Sequence, residues 1–203
     1  MPQYWDDLIT SESWSVLQKI NRTYRFTLIG GWAVYVYTRA LKSRDIDIIV
    51  DFKTLARLKD DFTVNKNERL KKYEIKETKF DIDIYVPHYS NPGLPAEMVI
   101  AETIEKDGFH VPKIEILLII KQAVFKKRRG SIKGEKDKLD IFSLLREGID
   151  VRLYKNLLSK YGVPHLRDEL VALLNTALAL PEIGLTSYTL ARLRKRVLAD
   201  LEI

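Results

Sequence analysis

The sequence predicts an α/β fold, a small mixed β-sheet followed by a bundle of helices, and three observations carry that prediction. Apolar residues alternate with period two in Asp45–Phe52 and again in KFDIDIYVP, as half-buried strands require. A glycine pair, Gly30-Gly31, stands between an apolar run and a short helix-length segment, marking a strand-to-helix turn. From Val151 onward apolar residues recur at helical spacing, interrupted only by Tyr161–Pro164 and Pro181–Gly184.

Taken in order, Trp5–Ile20 reads as a helix, with Trp14, Leu17 and Ile20 on one face. Phe26–Ile29 is the first expected strand and Trp32–Thr38 the helix after the glycines, with Trp32 and Tyr35 read as core. Asp45–Phe52 is the second strand, and Thr54–Asp60 a short helix that Thr54 would cap. Glu68–Val86 holds one or two strands, ending with Phe80, Ile82, Ile84 and Val86 on one face and Asp81, Asp83 and Tyr85 on the other. Met98–Ile104 and Phe109–Val111 would pair as a hairpin across Lys106-Asp107-Gly108. A long helix, Lys113–Arg128, begins beside Pro112, and a glycine-containing loop, Gly130–Gly134, separates it from the next. Helices at Arg152–Lys160, Leu166–Leu178 and Leu185–Leu198 complete the chain. The expected division is an α/β domain over residues 1–111 and a helical domain over 112–203 that completes the active-site cleft.

Composition narrows the chemistry. The 203 residues are 46% hydrophobic, ample for a core. The absence of cysteine excludes disulfides and thiolate metal sites. His88, His110 and His165 lack the spacing of a zinc site. The acidic, amphipathic start is unlike a signal peptide, and the aliphatic run Ile116–Ile120 is too short to span a bilayer. The expectation is a soluble, cytoplasmic protein with no membrane partner. No Gly-x-Ser-x-Gly turn, Walker A sequence or Rossmann glycine pattern is present. The net charge of +6 favours a polyanionic partner, and Lys126–Lys138 and Arg192–Arg196 are dense in cations.

The stretch LIGGWAVYVYTRALKSRDIDIIVD carries the strongest functional signal. Asp45 and Asp47, two apart on a strand, project from one face, while Ile46, Ile48 and Val50 face the core. Paired carboxylates repel, and a hard cation such as Mg²⁺ (or Mn²⁺) relieves the repulsion. Backbone N–H groups at Gly30-Gly31, at a helix start, suit a phosphate. Metal and phosphate together suggest a nucleotide. The plainer readings are a simple Gly-Gly turn and a solvated strand end.

LIGGWAV followed by KSRDIDIIV resembles the signature of the DNA polymerase β superfamily of nucleotidyltransferases, and is similar to its minimal and AbiE-type members, some of them toxins of toxin–antitoxin pairs. The resemblance implies a nucleotidyltransferase core, with Asp45 and Asp47 bridging metals. It implies a third carboxylate on a neighbouring strand, either Asp81 or Asp83, with Asp83 in the closer context. It also implies that Gly30, Gly31 and Ser43 hold the triphosphate. Leu41 stands where relatives often carry an arginine, which leaves Arg39 or Arg44 as its substitute. The AbiE-type pattern further points to Lys121, the one interruption of EILLIIKQAVF, and to Lys136, Asp137 and Asp140 in RRGSIKGEKDKLDIF. Lys121 would bind nucleotide phosphate, directly or as oriented by Asp137. The alternative is a Lys121–Asp137 salt bridge pinning two helices, with Asp140 structural. The implied activity is Mg²⁺-dependent transfer of an NMP from an NTP to an acceptor hydroxyl on RNA such as a tRNA end, on protein or on a small molecule. An antitoxin partner follows if the chain is a toxin. The rival is an inactive nucleotide-binding or protein-interaction module of the same fold.

Overall fold

A computed structural model describes residues 7–201, and their contacts divide into two compact units, one ending at Lys113 and the other beginning at Ile114. The part of the first expected helix before Asp7, including Trp5, lies outside the described residues.

The first unit opens with α1 (Asp7–Thr23), which buries Thr10, Ser13, Leu17 and Ile20 at helical spacing and runs one turn past Ile20. Strand β1 (Thr27–Ile29) leads directly into α2 (Gly30–Thr38), so the glycines form the first turn of the helix. Gly30 has φ +68°, a backbone conformation that costs a residue with a Cβ. Strand β2 (Ile46–Ile49) is shorter than expected. Asp51 leaves the sheet to cap α3 (Phe52–Asp61), its carboxylate accepting the Thr54 N–H at 2.6 Å. Thr54, expected as the cap, is therefore the donor. The two oxygens of a carboxylate serve the cap better than a hydroxyl already inside the first turn.

Strands β3 (Asn65–Asn67), β4 (Lys72–Lys76) and β5 (Asp81–Tyr85) follow. Among the described residues five strands form one mixed sheet in the order β1-β2-β5-β4-β3, with only β2 and β5 parallel. Ile46 faces Ile82 and Ile48 faces Ile84 across the central pair, all of them buried. Met98 to Ile100, expected as strand, belongs instead to α4 (Ala96–Ile100). Pro95 opens this turn, and Ala-Glu-Met-Val has no alternation to hold a strand. The hairpin is β6 (Thr103–Lys106) with β7 (Phe109–Pro112), joined by Asp107 and Gly108, both at positive φ. That is the twist a two-residue turn demands. Trp14, Trp32, Tyr35 and Phe109 pack ring against ring, and the Trp32 indole N–H donates to the Ser13 hydroxyl at 2.9 Å. Trp32 is core, as the sequence suggests, whereas Tyr35 is half-buried at its edge, with Arg39 over its ring.

The second unit contains α5 (Ile114–Arg128), α6 (Ile132–Glu147), α7 (Val151–Lys160), α8 (His165–Thr176) and α9 (Ser187–Leu201), with a 3₁₀ turn at Pro181–Ile183. Gly134 is not in the connecting loop but inside α6. A Cβ there would sit 2.1 Å from the Arg128 carbonyl oxygen, so glycine is what lets the two helices meet this tightly. Ser131 caps α6 by accepting the Gly134 N–H at 3.1 Å. Tyr154 donates to Gln122, and Gln122 to the Leu166 carbonyl, each at 2.8 Å, tying α5, α7 and α8 in the core. Among the described residues no helix is long and apolar enough to cross a membrane.

Candidate active site

The sheet register sets the site. Asp47 on β2 is the direct partner of Asp83 on β5, and Asp83 is the direct partner of Glu74 on β4. Since adjacent strands lie about 4.8 Å apart, one carboxylate from each of three neighbouring strands forms a row on a single face. Asp83, and not Asp81, stands opposite Asp47. Asp81 lies one step earlier, where its backbone N–H donates to Asp45 Oδ1 at 3.3 Å.

Asp45 stands at the head of β2 rather than within it. Its carboxylate is held by Arg44, Nε to Oδ1 at 3.0 Å and Nη2 to Oδ2 at 3.4 Å. Ser43 is buried, its hydroxyl donating to the Asp45 carbonyl at 3.2 Å. Asp47 Oδ1 accepts from the Tyr85 hydroxyl at 3.4 Å. The other Asp47 oxygen lies against the Gly30 backbone, where an added Cβ would come within 2.1 Å of it. Gly30 is thus required twice, for its positive φ and for the space Asp47 fills. This close approach joins the glycine pair to the Asp-x-Asp strand. No side chain caps α2 at Ile29, so its first N–H groups are left to other acceptors.

Sequence reasoning missed Lys72 and Glu74. Lys72 is nearly buried, with Nζ 2.6 Å from Asp83 Oδ2 and 3.0 Å from Glu74 Oε1. The signal was in KKYEIK, where Lys72 and Glu74 fall on one strand face, but nothing local says which strand lies beside them. Burial pushes the Asp83 carboxyl above its usual range, the Lys72 contact pulls it back only in part, and Glu74 and Asp45 push it further up. On Lys72 burial opposes the charge, yet Asp83 and Glu74 outweigh it and the pKa rises. The two shifts fit together once charges are counted: Lys72 has two carboxylates, whereas Asp83 has one ammonium and like-charged neighbours. The row is short of positive charge.

Among the described residues no three carboxylate or imidazole side chains form a ready-made metal cage. The donor set nevertheless fits Mg²⁺, which prefers one or two protein carboxylates and takes its remaining oxygens from water and substrate phosphates. Asp47 and Asp83 are such a pair.

Lys121 and Asp137 belong to the second unit. Lys121 is buried, 3.0 Å from Asp137 and 2.7 Å from Asp140, and Lys136 lies 3.3 Å from Asp140. Burial opposes the Lys121 charge, but Asp140 and Asp137 together raise its pKa. These contacts match the helix-pinning alternative, with Asp140 as the shorter arm.

No family model matches the chain, and no curated protein resembles it in sequence. Solved structures do share its fold. A putative nucleotidyltransferase from H. pylori aligns with a TM-score of 0.55 at 18% identity, covering 98% of each chain. JHP933 from Helicobacter pylori aligns with a TM-score of 0.54 at 18% identity, covering 95% of this chain and 93% of that one. The fold these structures share with the chain is a small mixed sheet followed by a helical bundle.

Proposed function

We propose that this chain is a divalent-metal-dependent nucleotidyltransferase, moving an NMP from an NTP to an acceptor hydroxyl and releasing pyrophosphate in the cytoplasm. The observation that supports it is the carboxylate row Asp47–Asp83–Glu74 beside Gly30, at the uncapped start of α2.

Asp47 and Asp83 hold the metal ion, with Asp45 adding its charge from the head of the strand. Bound Mg²⁺ or Mn²⁺ neutralises phosphate charge and stabilises the leaving oxygen. The chain's own groups do the rest. Gly30 and Gly31 present backbone N–H groups to the triphosphate. Arg44, one-third exposed beside Asp45, adds the cation expected near the phosphates. Ser43 shapes this loop through the Asp45 carbonyl. Asp83 takes the acceptor proton at the oxygen turned away from Lys72. The acceptor oxygen bonds to the α-phosphorus as the bond to the bridging oxygen breaks, and pyrophosphate leaves with that electron pair. Positioning and charge neutralisation carry such a transfer without a covalent intermediate.

Titration with a non-hydrolysable NTP, with Mg²⁺ and then with EDTA, tests the reading. Binding at least tenfold weaker in EDTA is expected. Equal affinity in both would leave only a metal-independent nucleotide-binding or protein-interaction module.

A further inference from the structure

We propose that the open cleft between the end of α1 and the start of α3 binds the phosphodiester backbone of a single-stranded RNA. The cleft measures about 470 Å³ and is lined by Arg22, Arg25, Lys53 and Arg57, with Asp51 as its only acidic wall residue. Arg22 and Arg25 are exposed, and their side chains form no ion pair or hydrogen bond with other described residues. Asp51 already caps the start of α3, so the attraction comes from side-chain cations and not from the helix end. Lys53 and Arg57 are four apart on one helix face, which sets their Cβ atoms about 5–6 Å apart, close to the step between successive phosphates of a strand. Three of the four cations are arginines, whose planar forks match phosphate oxygens. Arg57 Cζ also stands over the Tyr24 ring, 5.2 Å from its centroid, and Nη2 donates to the Thr23 carbonyl at 3.4 Å, which holds one fork in place.

Position argues for a polymer. The chain leaves the cleft at Arg25 and runs through β1 to Ile29 beside Asp47, and β2 runs back from Asp47 toward Asp51. Four residues of extended chain span about 13 Å, so the cleft lies beyond reach of the same triphosphate held at Gly30. A polynucleotide is long enough to be gripped here while its terminal hydroxyl lies at Asp83, and a small-molecule acceptor is not. The acceptor role rests on the transferase reading, whereas RNA binding itself does not.

The test is fluorescence anisotropy of a labelled 20-nucleotide single-stranded RNA on the full chain, in EDTA without nucleotide, over a range of salt. Arg22→Ala/Arg25→Ala/Lys53→Ala, at exposed positions, should weaken binding at least tenfold. It should also flatten the dependence of log K on log salt by about 2, from roughly 0.7 for each lost phosphate contact. Arg192→Ala/Lys195→Ala/Arg196→Ala, which removes as many exposed cations from α9, should stay within twofold of wild type. The cleft assignment is overturned if the cleft variant binds like wild type, if the α9 variant loses as much, or if wild type prefers poly-glutamate to RNA. A wild type that binds RNA in this way but fails to transfer NMP would sink the function and leave the cleft. Equal labelling of RNA by the cleft variant and wild type would do the reverse.

Discussion

Lys72 and Lys121 are each clamped between two carboxylates, in different units of the chain. Lys72 lies 2.6 Å from Asp83 and 3.0 Å from Glu74, and Lys121 lies 2.7 Å from Asp140 and 3.0 Å from Asp137. What surrounds them differs. Around Lys121 a second lysine, Lys136, approaches Asp140 and Arg128 stands 3.6 Å from Asp137, so the carboxylates are matched by cations. Around Lys72 the carboxylate row continues to Asp47, with the field of Asp45 behind it, and Asp83 stays raised despite its ammonium. A balanced buried cluster holds helices together. An unbalanced one at a sheet surface has room for a further cation, which is what a metal-dependent site requires.

The largest expected effect breaks the balanced cluster. Lys121→Met leaves buried Asp137 with only the half-exposed Arg128 at 3.6 Å, while Asp140 keeps Lys136. Removing one partner of a buried pair costs about 3–5 kcal/mol. Denaturant melts should show that loss, and Lys121→Met/Asp137→Leu should recover part of it. NTP affinity, measured on the same variants, should not change. A loss of NTP affinity by on the order of 1.5–3 kcal/mol with stability intact would return Lys121 to the phosphate role the sequence resemblance implies.

The unbalanced cluster should answer the opposite way. Asp47→Asn removes a charge at nearly constant volume, and NMP transfer is expected to fall about 10²–10³-fold, the scale of one lost electrostatic contact to the transition state. Circular dichroism and melting should show an intact fold. Transfer at the wild-type rate would remove Asp47 from the site.

The contrast also marks what a sequence can carry. Gly30, Gly31, Asp45 and Asp47 were legible because turn chemistry and strand period are local, and the alternation of KFDIDIYVP was enough to place Asp83 on the face opposite Ile82 and Ile84. Glu74 and Lys72 were not, because β4 joins the site only through its register with β5, and register between strands is not written within either one. The same holds for Asp140, whose link to Lys121 depends on how two helices cross. Local errors had local causes. Asp51 outcompeted Thr54 as a cap, Pro95 started a helical turn where a strand was expected, and Gly134 was taken for a loop residue although it is a packing residue.

A smaller effect lies at the contact between the glycine turn and the row. Gly30→Ala places a Cβ 2.1 Å from the Asp47 carboxylate, on a backbone at φ +68°. Strain of this kind costs on the order of 1–3 kcal/mol. Because the clash falls on Asp47, transfer should fall by more than the stability loss explains, whereas Gly108→Ala, also at positive φ but with nothing near its Cβ, should cost stability alone. Assaying both variants well below their melting temperatures separates the two contributions. Equal activity in the two would show that Asp47 tolerates displacement.

The smallest effect is the pH dependence of Asp83, and its sign follows from the direction of the shift. The folded carboxyl titrates above its unfolded value, so between those two values the folded state binds more protons than the unfolded state. Stability from this group is therefore greatest in acid and is lost as pH rises through the folded pKa. Asp83→Asn mimics the protonated form and removes the dependence. In EDTA, the melting temperature of the variant relative to wild type should rise from pH 4 to pH 8, levelling off above the folded pKa. Each kcal/mol moves the midpoint by roughly 2–4 °C in a chain of this size, so the trend is measurable. Added Mg²⁺ should raise wild type relative to the variant at pH 8, because wild type alone keeps both carboxylates for the ion. If the variant instead falls further behind wild type as pH rises in EDTA, the Lys72 contact outweighs burial at Asp83. The Lys72 cluster would then be as closed as the one around Lys121.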